Sequence, residues 1–197
     1  MSEPRVNIEI EAGRIEIEVF TDLAPRAGRY FLDLVTQGAY DGCTFYRSTT
    51  LGVAHGPRLV QGGPLGRVLA PTSGTRPSPA RRLPLLDGFE TTADSGMRHE
   101  AGVVSLARDL ADTGHAIPEF FICLGVIPQL DFGGRREPDD RGFPAFGRVT
   151  QGLGLVEDIA ARPTGGRSAI ARLEGEILSD QVGIDRIAQR LGRNSPP

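Results

Sequence analysis

Gly42-Cys43-Thr44-Phe45-Tyr46-Arg47, followed by Leu59-Val60-Gln61-Gly62-Gly63 and later by Pro118-Glu119-Phe120-Phe121-Ile122-Cys123, carries most of the information in this chain. Three short apolar runs set one arginine, one glutamine and a phenylalanine pair on strand-like segments. Side chains on a strand alternate between its two faces, so Phe120 and Phe121 point in opposite directions. We assign Phe120 to a core and Phe121 to a pocket. An arginine does not give up its proton in a protein, which makes Arg47 a poor general base and a good fixed donor. By spacing alone a strand arginine reads as a surface ion-pair partner, and Gln61 before two glycines as the cap of a bulge. The alternative is a site that holds and polarises a ligand without attacking it.

Outward from these runs the pattern stays short and strand-like. Val6, Ile8 and Ile10 alternate with Asn7, Glu9 and Glu11, and after Gly13 the residues Ile15, Ile17 and Val19 alternate with Glu16 and Glu18. This predicts a half-buried antiparallel hairpin. Ala27, Tyr30, Phe31, Leu34 and Val35 recur at helical spacing, with Pro25 suited to the first turn and Gly38 to the stop. Further strands are expected at 44–48, 58–62, 102–107, 120–125 and 145–149, and a second helix from Leu153 to Ala161. Ala171, Leu173 and Ile177 alternate with Arg172, Glu174 and Glu176, predicting a last strand that pairs with the first hairpin. The loosely helical spacing of Val182, Ile184, Ile187, Ala188 and Leu191 predicts a C-terminal helix over 182–192, followed by a frayed tail. Many short strands with irregular connections favour a closed antiparallel barrel over a doubly wound sheet. The expected fold is therefore mainly β: a closed antiparallel barrel over 1–180 capped by two helices, with an extra C-terminal helix and tail over 181–197. The stretches 64–88 and 131–143 read as long irregular loops, which are either functional or mobile.

Composition removes several chemistries. All 22 basic residues are arginine, and lysine and tryptophan are absent. Schiff-base and pyridoxal chemistry need a lysine, as do the P-loop and the kinase phosphate clamp, so Asp131-Phe132-Gly133 is coincidental. A net charge of -3 with interspersed signs offers no footprint for nucleic acid or an anionic membrane. Arg76, Arg81 and Arg82 lie among prolines and read as a solvated loop. No apolar stretch has the length of a membrane span, and the N-terminus has no signal-like run. Cys43 and Cys123 read as two buried free thiols of a cytoplasmic protein. His99 suits a buried structural role, while His55 and His115 show no metal-ligand spacing, so neither metal nor cofactor is expected.

In order and spacing, Ala24-Pro25 with Phe31, Gly38-x-Tyr40-Asp41-Gly42, Phe45-Tyr46-Arg47, Gln61-Gly62-Gly63, His99-x-x-Gly102, Val104-Ser105-Leu106-Ala107, Phe120-Phe121-Ile122, Leu130-Asp131 and Phe146-Gly147-Arg148-Val149 resemble the cyclophilins. These are barrel-shaped peptidyl-prolyl cis-trans isomerases, and the likeness runs from Val6 to Ile177. The insertion between Arg47 and Gln61, with Leu130-Asp131-Phe132-Gly133-Gly134 and Gly142-Phe143-Pro144-Ala145-Phe146-Gly147, is similar to a divergent bacterial branch. The resemblance implies that Arg47 donates to the prolyl nitrogen, Phe121 walls the proline seat and Gln61 fixes a substrate carbonyl. It also implies that Tyr46, Leu59, Ala107, Arg108, Glu119, Gln129, Leu130 and Phe143 contact the substrate. Proline-containing peptides or unfolded proteins are the implied partners, with no cofactor.

The chain departs from the family in places. Glu119 stands where glutamine precedes the Phe-Phe pair, and a carboxylate there is a candidate partner for Arg47, orienting it or competing for its donors. Arg108 replaces an asparagine, Gln129 stands where many members have tryptophan, and Phe143 where they have histidine, so weak cyclosporin binding is expected. Reduced turnover belongs to the same expectation. Two further functions stay open beside isomerisation: a proline-peptide binding module or holdase, and a scaffold recruited to small-molecule biosynthesis.

Overall fold

The computed structural model describes residues 3–56, 58–69, 83–135, 139–166, 168 and 170–190. Among these residues ten strands form one antiparallel sheet: β1 (Arg5–Ile10), β2 (Gly13–Val19), β3 (Cys43–Thr49), β4 (Leu59–Gly63), β5 (Val103–Arg108), β6 (Ala116–Cys123), β7 (Ala145–Gln151), β8 (Thr164–Gly166), β9 (Ile177–Ile184) and β10 (Arg186–Gln189). Their order across the sheet is β10-β1-β2-β7-β5-β6-β4-β3-β9-β8. The helices are α1 (Pro25–Thr36), α2 (Gly66–Leu69), α3 (Thr92–Ser95) and α4 (Leu153–Ala160). The result is a mainly-β antiparallel half-barrel with few helices. The predicted hairpin, the five central strands and both longer helices are present within a few residues of their expected bounds. Arg76, Arg81 and Arg82 lie outside the described residues.

The core sits where the alternation of the strands and the stripe of α1 meet. Val6, Ile8, Ile10, Ile15, Ile17 and Val19 all face inward, and Ala27, Tyr30, Phe31, Leu34 and Val35 of α1 cover them. Phe120 packs edge-on against Phe31, Tyr40 and Phe45, at centroid distances of 5.9, 5.4 and 5.7 Å. No side chain of α1 caps its N-terminus; instead the distant Glu90 carboxylate accepts from the Arg26 and Ala27 amides. A carboxylate there also faces the positive end of the helix dipole.

The C-terminal region corrects three expectations. The described part of the expected helix, 182–190, is not helical, and 191–192 lie outside the described residues: β9 runs through Ile184, turns at Asp185 and continues as β10. Val182 and Ile184 point inward along β9, and Ile187 along β10. The corner inserts one residue between two alternating runs, and this three-residue gap imitates helical spacing. The segment Ala171–Leu173 is a 3-10 turn, not a strand, and Gly175 at φ 82° reverses the chain before β9 begins at Ile177. The partner of the first hairpin is therefore β10, paired Val6 to Gln189 and Ile8 to Ile187, while β9 pairs with β3. One continuous stretch of chain thus joins the β1 and β3 sides of the sheet.

The feature of the sheet that matters most for the site is a bulge in β3. Phe45 lies opposite Gly62, and Arg47 lies opposite Gln61, so two residues of β3 meet one of β4. The same shift appears against β9. A regular strand would put Phe45 and Arg47 on the same face. The bulge leaves Phe45 in the core and turns Arg47 to the outer face.

Candidate functional site

Register then assembles a row. Arg47 is opposite Gln61, Gln61 opposite Phe121, and Phe121 opposite Ser105, across β3, β4, β6 and β5. The neighbouring row, Phe45, Gly62, Phe120 and Leu106, faces the core. Gly62 is needed in that inner row, since a β-carbon there would stand 2.9 Å from the Phe45 ring. The opposite assignments of Phe120 and Phe121 are both found as expected.

Above the outer row lies a cavity of about 450 Å³. Its floor is a compact apolar cluster in which Leu59, Ala107, Phe121 and Leu130 pack with Cys123 and Ile127. Phe143 stands edge-on to Phe121, ring centres 5.6 Å apart at 82°. Behind Phe121, His99 is fully buried and stacked on it at 5.9 Å. His99 Nδ1 is 2.7 Å from Asp131 Oδ1, which also accepts the His99 amide at 3.0 Å. Burial works to raise the Asp131 pKa, but the hydrogen bonds from His99 outweigh it and hold the carboxyl below its ordinary value. His99 has the structural role expected of it: it backs the wall of the pocket.

Arg47 lies at one side of this floor. Its Nη1 donates to Gln61 Oε1 at 2.7 Å, while Nε and Nη2 donate to Glu176 Oε2 at 2.8 and 2.6 Å. The carboxylate on the arginine is thus Glu176, and not Glu119 as the sequence suggested. Glu119 is buried on the far side of Gly63, where its Oε1 accepts from the Leu65 amide at 2.8 Å. Burial pushes its pKa up to about 8, with the Leu65 amide and the nearby Tyr46 hydroxyl pulling the other way. Neither Glu119 Oε2 nor the Tyr46 hydroxyl finds a partner at hydrogen-bond geometry.

Of the residues expected at the site, Arg47, Gln61, Phe121, Leu59, Ala107, Arg108, Leu130 and Phe143 line the cavity. Tyr46, Glu119 and Gln129 do not. Tyr46 is completely buried in a separate cluster with Leu69 and Ile177, under Leu65 and Leu173. The Arg108 guanidinium is committed to the protein itself: Nε donates to Gly114 O at 2.8 Å, Nη1 to Gly142 O at 2.8 Å, and both terminal nitrogens to Asp139. It also lies 5.1 Å from the centre of the Phe89 ring. Sequence reasoning missed Leu51, Leu65, Ile117 and Arg135, together with the opposite wall of Ile170, Arg172 and Leu173. The signal for that wall was present, since Ala171-Arg172-Leu173-Glu174-Gly175-Glu176 has a glycine that interrupts its apparent alternation.

The arrangement offers fixed donors beside an apolar seat, and among the described residues no cysteine, serine or threonine lines it. Both cysteines are buried, and burial raises the Cys43 thiol to about 12 and the Cys123 thiol higher still. Among the described residues, no group of three His, Cys, Asp or Glu side chains is placed to hold a metal. No helix among them is long and apolar enough to cross a membrane.

Comparison with known proteins gives a consistent result. The family described as cyclophilin type peptidyl-prolyl cis-trans isomerase/CLD matches residues 5–182. A Streptomyces antibioticus peptidyl-prolyl cis-trans isomerase is 30% identical over 160 residues, 81% of this chain and 85% of the relative. A Gallus gallus peptidyl-prolyl cis-trans isomerase-like 3 is 28% identical over 80% of this chain and 83% of its own. A crystal structure of a Cryptosporidium parvum cyclophilin type isomerase superposes with TM-score 0.66 at 20% identity, covering 96% of this chain and 99% of that one. A second structure of the same protein, obtained in the presence of the dipeptide Ala-Pro, superposes with TM-score 0.65.

Proposed function

As the chain belongs to the cyclophilin-type peptidyl-prolyl cis-trans isomerases, we propose that it accelerates rotation about X–Pro bonds in peptides or unfolded chains, with Arg47 as the donor to the prolyl nitrogen. Rotation has to break amide conjugation, a barrier of about 18–20 kcal/mol that leaves exchange on the order of tens of seconds. No bond is made or cleaved. As conjugation is lost, the nitrogen lone pair localises, and a donor aimed at it stabilises the twisted state over both planar isomers. The observation that carries this reading is the row Arg47, Gln61 and Phe121, held on one face of three paired strands at the edge of an apolar cavity.

The roles follow from positions. Phe121, with Leu59, Ala107, Leu130 and Phe143 around it, seats the proline ring. Gln61 gives its carbonyl oxygen to Arg47, which leaves its amide N–H groups for a substrate carbonyl. The solved relative obtained with Ala-Pro supports a proline-containing ligand. Weak cyclosporin binding remains part of the proposal, carried by Gln129 and Phe143. Two free buried thiols suit a reducing compartment and support a cytoplasmic place of action.

Exchange spectroscopy by NMR on a short X–Pro peptide tests the reading. The wild type is expected to speed exchange, and Arg47→Ala to lose about 10²- to 10³-fold of that acceleration, the range for removing one preorganised donor. Binding of the peptide without acceleration would identify a binding module instead. Absence of both would point to a small-molecule ligand.

A further inference from the structure

We infer that Glu176 is a positioning residue for Arg47, supplied by the 170–176 segment; the inference rests on the isomerase reading above. An arginine side chain carries five N–H donors on a flexible stem, and only bound neighbours fix its plane. Here two neighbours do. Glu176 Oε2 takes Nε and Nη2 at 2.8 and 2.6 Å, and Gln61 takes Nη1 at 2.7 Å. Three of the five donors are thereby committed, and one N–H on each terminal nitrogen is left for a substrate.

Glu176 is itself held firmly. Its other carboxylate oxygen accepts from the Thr49 hydroxyl. Its amide donates to Leu173 O at 3.1 Å, and its carbonyl accepts the Ser48 amide at 3.1 Å. The left-handed Gly175 sets the direction of approach, and the next residue, Ile177, enters β9 directly opposite Arg47. Leu173 and Ile177 pack with Tyr46 and Leu69, which anchors the segment on both sides of the carboxylate. The pair is only partly exposed, 17% for the Arg47 side chain and 27% for Glu176, so water competes less for these bonds than at an open surface. A guanidinium held in one plane meets the rotating bond without first being ordered, and misplacement on the order of 1 Å can lower a rate by about 10²-fold.

Both arginine donors go to the same oxygen, which makes the idea separable from charge. Glu176→Gln keeps a carbonyl oxygen for Nε and Nη2 and an amide N–H for Thr49, while Glu176→Ala removes everything. Exchange kinetics on the X–Pro peptide are expected to show kcat about 10- to 100-fold lower in Glu176→Ala, with KM within about twofold. Glu176→Gln is expected to recover kcat to within about threefold of the wild type. A purely structural tie between β9 and β3 would lower the melting temperature of Glu176→Ala and leave kcat unchanged, which overturns the inference. Faster turnover in both variants would also overturn it, since Glu176 would then be a competitor for the donors. If the wild type itself has no turnover, the isomerase reading fails, and positioning is read from the Arg47 Nε–H resonance. Slow solvent exchange of that proton in the wild type and Glu176→Gln but not in Glu176→Ala sustains positioning, and rapid exchange in the wild type rejects it.

Discussion

A glutamate that is 4% exposed and forms no ion pair among the described residues is an uncommon component of a sheet, and Glu119 is one. Its folded-state pKa of about 8 stands above the ordinary 4.5, so the native protein keeps a proton that the unfolded chain releases. Between those two values the native state binds more protons than the unfolded state, and stability falls as pH rises. The slope from this one group is about 1.4 kcal/mol per pH unit, levelling off above pH 8. Glu119→Gln removes the group that titrates and keeps an oxygen for the Leu65 amide. We expect this variant to match the wild type near pH 4.5 and to exceed it by a few kcal/mol at pH 8, as read by urea unfolding at both values. A parallel pH dependence in the two proteins would contradict the assignment. At this scale the sequence was informative about type and poor about partners. The row Arg47, Gln61 and Phe121 was legible, because each lies in a strand-like run with a recognisable neighbour. That Glu176 and not Glu119 meets the arginine was not, because adjacency to the Phe-Phe pair says nothing about which side of Gly63 a carboxylate occupies.

At the scale of elements, loops are tied to the sheet through single side chains. Arg108, at the end of β5, reaches the carbonyls of Gly114 and Gly142 and the carboxylate of Asp139, and it lies over Phe89. One guanidinium therefore joins the turn before β6, the segment carrying Phe143 and the chain before α3. Its side chain is 2% exposed, so removing it leaves buried carbonyls without donors. Arg108→Ala is expected to cost about 3–5 kcal/mol in chemical denaturation, the range for breaking a buried pair. Arg108→Lys should recover only part, since an ammonium cannot match the fork. The element boundaries followed the same logic as the residues. Strands with strict alternation and α1 with its Pro25 start were readable, since each pattern reports one buried face. The β3 bulge was not, because an inserted residue changes the phase of a strand without changing its composition. The Asp185 corner was misread for the related reason that two strands in different phase resemble one helix.

Across the whole molecule, the last strand completes what the first begins. β1 has β2 on one side and β10 on the other, and Glu16 of β2 joins Arg5 to Arg190 through both of its oxygens. Truncation after Ile184 would uncover the backbone groups and the inward row of β1 that β10 now covers. Such a variant is expected to lose cooperative unfolding and bind a hydrophobic dye, whereas an unchanged unfolding curve would show that β10 is dispensable.

The ion pair at the site also has a consequence in time. Arg47 and Glu176 are separated by 129 positions, and the strand that follows Glu176 comes after nearly all the others in the chain. During synthesis, which adds about 5–20 residues per second, the arginine is therefore present for several seconds before its carboxylate exists. A ribosome-bound chain ending before Ile170 has the floor of the cavity in its sequence without Ile170, Arg172 and Leu173 of the opposite wall. The lining of the cavity is thus completed late in the chain, after most of the protein's own prolines have been added.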